Sequence, residues 1–576
     1  MSLTWLISAS RLFLPYRCGA GVSHTPFLEN LLPRNHFGLC FKRLWELKGP
    51  SMRDFHRPGR SAVFAANGMC ATSHPLAAKA AVDILQSGGN AMDAAIGGAV
   101  LLGLCEPQMT GIGGDCFVLF SPPGSDAINA MNGSGCAPVA QSAASMRRKG
   151  FTHVPEHGAD AVTVPGAIDA FCQLSNDWGK LGLEALLAPS IDYAENGVPV
   201  APRVALDWAG LTTKLHVSAQ NDYLINGKAP LPGDKFFAPK QAEVLRLIAA
   251  KGRDGFYRGE VADDMVQSLA ALGGAHELSD FADQRAFYID PIRGSYHGVD
   301  LVEHPPNGQG ATAILLLNIL SLFDLAALPP FEARRTHIET EATKRAYQAR
   351  NAIIADPAKT EGLEQMLSLE FARKLAGEIS LTSAGSAPSQ IIEAVHKDTI
   401  YITVVDQDRM SVSLIYSIFH GFGSGLASEK YGILFQNRGA GFNLTPDHPN
   451  ELKGGARPMH SIIPGMLCEA GKPMMPFGVM GGQYQPTGHA RLISNILDFG
   501  LSPQEAIDAP RSFFDGGALK LERGYTQKVV QELADLGHAV TQDIEPIGGA
   551  QAIRILQNGV LEGASDPRKD GCALGY

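Results

Sequence analysis

The chain has 576 residues, 45% of them hydrophobic and 18% charged, a globular balance large enough for two ordinary domains or one multilayer domain. A net charge of -10 with no basic stripe argues against a nucleic-acid partner. The nine cysteines never form a C-x-x-C pair, which suits a reducing, cytoplasmic setting and argues against a disulfide framework or a zinc ribbon.

At the N-terminus a short apolar patch, Leu3 to Ile7, precedes Arg11 instead of following a basic segment, so a secretory signal is not expected. Residues 1–51 are taken as an extension of uncertain status, with Met52 as the working start and a transit peptide as the weaker alternative. From Met69 the sequence predicts a short strand and two apolar helices. Ser73 or His74 opens the first helix, and Gly88, Gly89 and Asn90 stop it. The run Ala94 to Cys105 is too short and glycine-rich to span a bilayer and predicts a buried helix, so no membrane partner is expected. "DCFVLF" and "DAINAMNG" predict buried strands. Residues 180–280 predict mainly helix, "PIRGSYHGVDLVEHPP" a return to strand, and 311–380 a run of helices.

After Pro388 the texture turns to strand. "DTIYITVVDQDRMSVSLIYSI" predicts a hairpin of two alternating runs centred on Asp408. Strands and glycine turns follow through "GVMGGQYQ", then the helix "PTGHARLISNILDFG" and a small α/β tail. The whole predicts an α+β protein with a largely antiparallel core packed by helices, and no internal repeat. A boundary near 398 divides the chain, but the second part has too few helices to cover its own strands, so it completes the fold of the first.

The hairpin carries the chemistry. Thr399, Tyr401 and Thr403 share one face, and a turn at Asp408 sets Thr399 opposite Ser417 and Thr403 opposite Ser413. A threonine hydroxyl is a poor nucleophile without a base beside it. If Thr399 became a chain terminus, its own α-amine, with a reference pKa of about 8, would be that base. A neighbouring hydroxyl such as Ser417 would hold the nucleophile in one rotamer. Taken alone, a threonine opening a strand is an ordinary strand residue. Gly481 and Gly482, after a buried strand, can turn backbone N–H groups toward an oxyanion, or simply make a tight turn. "TGIGGD" lacks dinucleotide spacing, "GFGSG" is not G-x-S-x-G, and no H-E-x-x-H, EF-hand or Walker pattern occurs. No metal and no cofactor is expected.

These segments are similar to the gamma-glutamyltransferase family, also called gamma-glutamyltranspeptidase or glutathione hydrolase. The resemblance runs from about residue 60 to the end. It rests on "ATSHPLAAKAAVDILQSGGNAMDAA", "EPQMTGIGGDCFVLF", "VPGAIDAF", "HPPNGQG", "DTIYITVVDQDRMSVSLIYSIFHGFGSG", "GVMGG" and "LEGASDPRKDGCALGY". It implies an N-terminal-nucleophile αββα four-layer sandwich, two stacked and mainly antiparallel sheets between helical layers. The chain would cut itself before Thr399 into a large subunit, 52–398, and a small subunit, 399–576, which stay associated; a homodimer is compatible with this. Thr399 matches the catalytic threonine, Ser417 a second hydroxyl residue beside it, Gly481 and Gly482 the oxyanion-hole glycines, and Ser461 the second of two paired serines.

The glutamate-binding positions depart from the family. Ser134 stands at the position of the arginine that grips the glutamyl carboxylate, Phe419 at that of an asparagine, and His460 at that of the first paired serine. Arg438 and Gly441 occupy positions that would contact the α-amine. The expectation is an amide hydrolase working through an acyl-enzyme on a small amide, with Arg438, His460 and Ser461 near the substrate and the machinery not tuned to gamma-glutamyl groups. A guanidinium at 438 suits an acidic acyl group. The alternatives are a true glutathione hydrolase with a rearranged site and an uncut, inactive binding relative.

Overall fold

The computed structural model describes residues 59–386, 399–542 and 545–576. The extension 1–51 and Asp398, on the far side of the expected cleavage bond, lie outside the described residues.

Period-two sequence patterns become two seven-stranded sheets in which every neighbouring pair is antiparallel. The first sheet runs, in spatial order, Val63–Ala65, Leu561–Ser565, Gly549–Ile555, Lys472–Met480, Pro464–Glu469, Val299–Glu303 and Ile292–Tyr296. The second runs Cys572–Gly575, Met69–Thr72, Ile400–Val405, Ser411–Ser417, Asp115–Ser121, Asn129–Gly133 and Phe287–Ile289. Both sheets contain strands from before and from after position 399. The predicted pairing holds, with Thr403 opposite Ser413 and Ile400 opposite Tyr416.

Helices cover the outer face of each sheet. Pro75–Gln86, Ala91–Cys105 and Ala167–Trp178 pack on the second sheet, and Gly310–Leu320 and Gln485–Leu497 on the first, with Ala333–Ile353 packed against Gly310–Leu320. His74 caps the first helix with its side chain, and Asn90 forms a capping box with Asp93 at the next. All 15 residues of Ala91–Cys105 are buried, as its unbroken apolar character requires. Among the described residues, no helix is long and apolar enough to cross a membrane, and none of the described cysteines is in a disulfide.

Two glycines set the layer spacing around the Ile400–Val405 strand. A Cβ on Gly98 would meet Ile402 Cδ1 at 2.5 Å, so the helix lies directly on the strand. On the other face a Cβ on Gly478 would meet the Tyr401 ring at 2.3 Å. Ile400, Ile402 and Val404 therefore face the helices, while Tyr401 joins Phe117, Ile415, Ile462 and Met480 between the sheets. The strand is clamped from both sides, which fixes the position of its first neighbour, Thr399.

The closing segment differs from the expected α/β tail. A small three-stranded sheet, Ser512–Asp515, Ala518–Leu521 and Val540–Gln542, does carry the helix Gln527–Asp535. The last three strands instead enter the two main sheets, because Gly549–Ile555 and Leu561–Ser565 bury nearly every residue.

Candidate active site

Thr399 precedes Ile400–Val405, an interior strand of the second sheet, and is 1% exposed. Its Oγ1 donates to Ser417 Oγ at 3.4 Å, and the same Ser417 oxygen accepts the Phe419 N–H at 2.8 Å. Ser417 thus meets the Thr399 hydroxyl with an oxygen already fixed by the backbone, which restricts the Thr399 rotamer.

Gly481 and Gly482 follow the Lys472–Met480 strand, with φ of +126° and +55°. Only glycine takes such angles cheaply, and here they turn the chain into the helix Gln485–Leu497. Among the described residues, neither glycine N–H donates to a backbone carbonyl. Side chains brace the turn from behind. Gln309 Nε2 donates to Ser461 O at 2.6 Å and Gly482 O at 3.2 Å, and Arg350 Nη1 reaches Gln309 Oε1 at 2.8 Å. Tyr347 Oη donates to Gln483 O. Two N–H groups at the head of a helix, on a braced turn, form an electropositive patch suited to an oxyanion.

Arg438 lies in a short 3-10 turn, Arg438–Gly441, and is fully buried. Its Nη1 donates to Ser461 Oγ at 3.3 Å, and its guanidinium lies 4.4 Å from the centroid of the Phe419 ring. Among the described residues, Nε and Nη2 have no hydrogen-bond partner. Burial pushes the group down to about 10, against the raising influence of Asp115. Asp115 does not pair with it. Asp115 Oδ1 accepts from Gly135 N, Gly166 N and Gln436 Nε2 at 3.0, 2.9 and 2.9 Å, and Oδ2 lies 2.8 Å from His460 Nε2.

His460 is buried with both ring nitrogens engaged, Nε2 by Asp115 and Nδ1 by Pro458 O at 2.8 Å and Asn307 Nδ2 at 3.1 Å. Burial and the Arg438 charge lower its pKa, while Asp115 opposes them. Ser134 is also buried. Its Oγ donates to Asn132 Oδ1 at 2.6 Å and accepts from Asn307 Nδ2 at 3.2 Å.

The residues singled out in the sequence are linked by a path of contacts. Contacts run from Thr399 through Ser417, Phe419, Arg438, Ser461 and Gln309 to Gly482. His460 stands beside this path as a brace on Asp115. Sequence reasoning passed over Asp115, Asn307 and Gln309. The available signals were a carboxylate opening a buried strand in "GGDCFVLF" and two amides in "HPPNGQG". Away from the site, His337, Glu341 and His538 offer ligand atoms within 4.8 Å of one another. There His337 Nδ1 and His538 Nε2 bond each other at 2.7 Å and Lys344 holds Glu341 at 2.7 Å, so the facing donors are already used.

Two antiparallel sheets stacked between helical layers make this the fold of the N-terminal-nucleophile hydrolases. The chain belongs to the gamma-glutamyltranspeptidase family, whose model matches residues 77–576. It is 36% identical to the glutathione hydrolase-like YwrD proenzyme of Bacillus subtilis, over 89% of this chain and 99% of that one. It is 35% identical to the oxamate amidohydrolase proenzyme of Klebsiella pneumoniae, over 90% and 100%. The crystal structure of cephalosporin acylase from Bacillus halodurans superposes with a TM-score of 0.85 at 37% identity, covering 92% of this chain and 99% of that one. The chain is thus an enzyme, a hydrolase of this family.

Proposed function

We propose that the chain is an autocatalytically processed amide hydrolase with Thr399 as its N-terminal nucleophile. The observation that carries this reading is the Thr399–Ser417 hydroxyl pair at the head of a strand clamped on both faces. In processing, Thr399 Oγ1 attacks the Asp398 carbonyl carbon and the carbon–nitrogen bond breaks, so the acyl group shifts from nitrogen to oxygen and the α-amine is freed; water then hydrolyses the ester, releasing the Asp398 carboxylate and the Thr399 hydroxyl. The two parts, 52–398 and 399–576, remain together through their shared sheets.

In turnover, Thr399 Oγ1 bonds to the substrate's carbonyl carbon as its proton passes to the α-amine. Gly481 and Gly482 N–H groups stabilise the oxyanion. The carbon–nitrogen bond breaks as the α-amine protonates the leaving amine. Water then attacks the Thr399 ester, the α-amine relays its proton back to Oγ1, and the carboxylic acid leaves.

The acyl group is not gamma-glutamyl in this reading, because Ser134 supplies no charge where a glutamyl carboxylate would need one, and its hydroxyl is occupied by Asn132 and Asn307. Relatives named oxamate amidohydrolase and cephalosporin acylase support an amidase of different acyl specificity. The relative named glutathione hydrolase-like favours a second reading, cleavage of glutathione itself. Intact mass and N-terminal sequencing test the processing step: two fragments are expected, one beginning at Thr399. A chain still uncut after long incubation would refute it. Rapid hydrolysis of gamma-glutamyl p-nitroanilide would move the second reading to first place.

A further inference from the structure

The side chain of Arg438 presents an arrangement that its protein neighbours leave incomplete. A guanidinium has two faces and several N–H directions. Phe419 covers one face at 4.4 Å, and Ser461 takes Nη1 at 3.3 Å. Among the described residues, the two nitrogens left without a hydrogen-bond partner are Nε and Nη2. These belong to the same edge of the guanidinium, and their N–H bonds run parallel, at the spacing of two carboxylate oxygens. Among the described residues, no carboxylate lies within ion-pairing distance of the group, and it has no exposed surface. A buried cation with a vacant bidentate edge is costly unless something fills it.

We propose that the side edge of Arg438 is the acyl-group anchor, and that it selects amides whose acyl portion carries a free carboxylate. This rests on the amidase reading above and names its substrate class. A singly charged carboxylate balances the one uncompensated charge. A doubly charged phosphate would leave excess negative charge near Asp115, whose own oxygens are already saturated by four donors.

Phe419 is the positioning residue. Its φ of +80° is a left-handed conformation that a bulky side chain adopts only under constraint. The constraint is visible at both ends of the residue: its N–H is bonded to Ser417, and its ring carries the guanidinium. One residue thus links the hydroxyl beside the nucleophile to the cation that would hold the acyl chain. Distance between the reacting carbonyl and the carboxylate is then set by a rigid two-residue span, which favours short acyl groups.

The test uses the self-cleaved enzyme and the mono-p-nitroanilides of short dicarboxylic acids, each compared with the methyl ester of its free carboxyl. At least one acid is expected to exceed its ester in kcat/KM by about a hundredfold or more, the discrimination typical of a buried charged group left unpaired. Arg438→Met should abolish that preference while ester hydrolysis persists. Arg438→Lys keeps the charge without the parallel edge and should retain only part of it. Phe419→Leu should raise KM for the acid about three- to tenfold more than KM for its ester. Equal rates on acid and ester in the wild type, or an undiminished preference in Arg438→Met, would overturn the proposal and leave the amidase reading intact. Failure of the amidase reading shows itself differently, as an uncut chain that hydrolyses none of the series. Calorimetric titration with the free dicarboxylates then decides, because binding lost in Arg438→Met and partly kept in Arg438→Lys supports the anchor, and no Arg438-dependent binding overturns it.

Discussion

Replacing Ser417 with alanine removes one oxygen that serves two partners. The Phe419 N–H, bonded at 2.8 Å, becomes a buried donor without that acceptor, at a cost of about 1–2 kcal/mol in stability. The Thr399 hydroxyl, 3.4 Å away, loses the contact that holds its rotamer. A lost hydrogen bond to a reacting oxygen is worth about 1.5–3 kcal/mol of barrier, or roughly 10- to 100-fold in rate. Both self-cleavage and amide hydrolysis should slow by that factor, because in the proposed mechanism both begin with attack by the same oxygen. Ser417→Thr restores the hydroxyl and should recover most of the rate. The assay is a time course of intact mass after synthesis, followed by steady-state kinetics on the cleaved fraction and a thermal melt of each variant. Wild-type cleavage and turnover in Ser417→Ala, within about twofold and with an unchanged melt, would refute the claim that this pair organises the nucleophile.

Other consequences follow from the same geometry. Thr399→Ala should stay a single chain of full mass and hydrolyse nothing, and Thr399→Ser should cleave slowly, both visible on a denaturing gel. Gly478→Ala places a methyl 2.3 Å from the Tyr401 ring and should cost about 3 kcal/mol or more by prising the sheets apart, read as loss of soluble protein or a sharply lowered melt. Glu106 is buried between Ser73, which donates to it, and the charges of Lys569, Asp207 and Asp570, and burial raises it to about 7. A carboxyl raised in the folded state binds its proton more tightly there than when unfolded. Its stabilisation is therefore complete below its unfolded pKa and fades as pH rises through about 7. Glu106→Gln should flatten this decline, worth at most about 3 kcal/mol, in melts taken across that window.

The strands were legible because alternation has a period that survives without knowledge of partners. The hairpin even disclosed its register, since a turn centred on Asp408 leaves one way to pair Thr403 with Ser413. Long-range choices were not legible. His460 faces Asp115 across 345 residues of sequence, and nothing local to "RPMHS" announces that contact. Arg438 sits in a glycine-rich stretch that reads equally well as surface, yet in the fold it is buried with Phe419 and Ser461 against it. The closing strands were absorbed into an expected tail because short runs reveal their type but not which distant edge they join.

The sharing of both sheets by strands from before and after position 399 has a consequence for how the molecule ages. Ile400–Val405 and Ser411–Ser417 are wedged between Met69–Thr72 on one side and Asp115–Ser121 on the other. An uncut chain can unfold and find those neighbours again as a single molecule. If the chain is cut before Thr399, as proposed, the same threading would have to be rebuilt by two separate polypeptides meeting in solution, each with unpaired edges open to wrong partners. Heating should thus be reversible only before maturation, and the mature enzyme would owe its persistence to the slowness of coming apart rather than to an equilibrium it can re-enter.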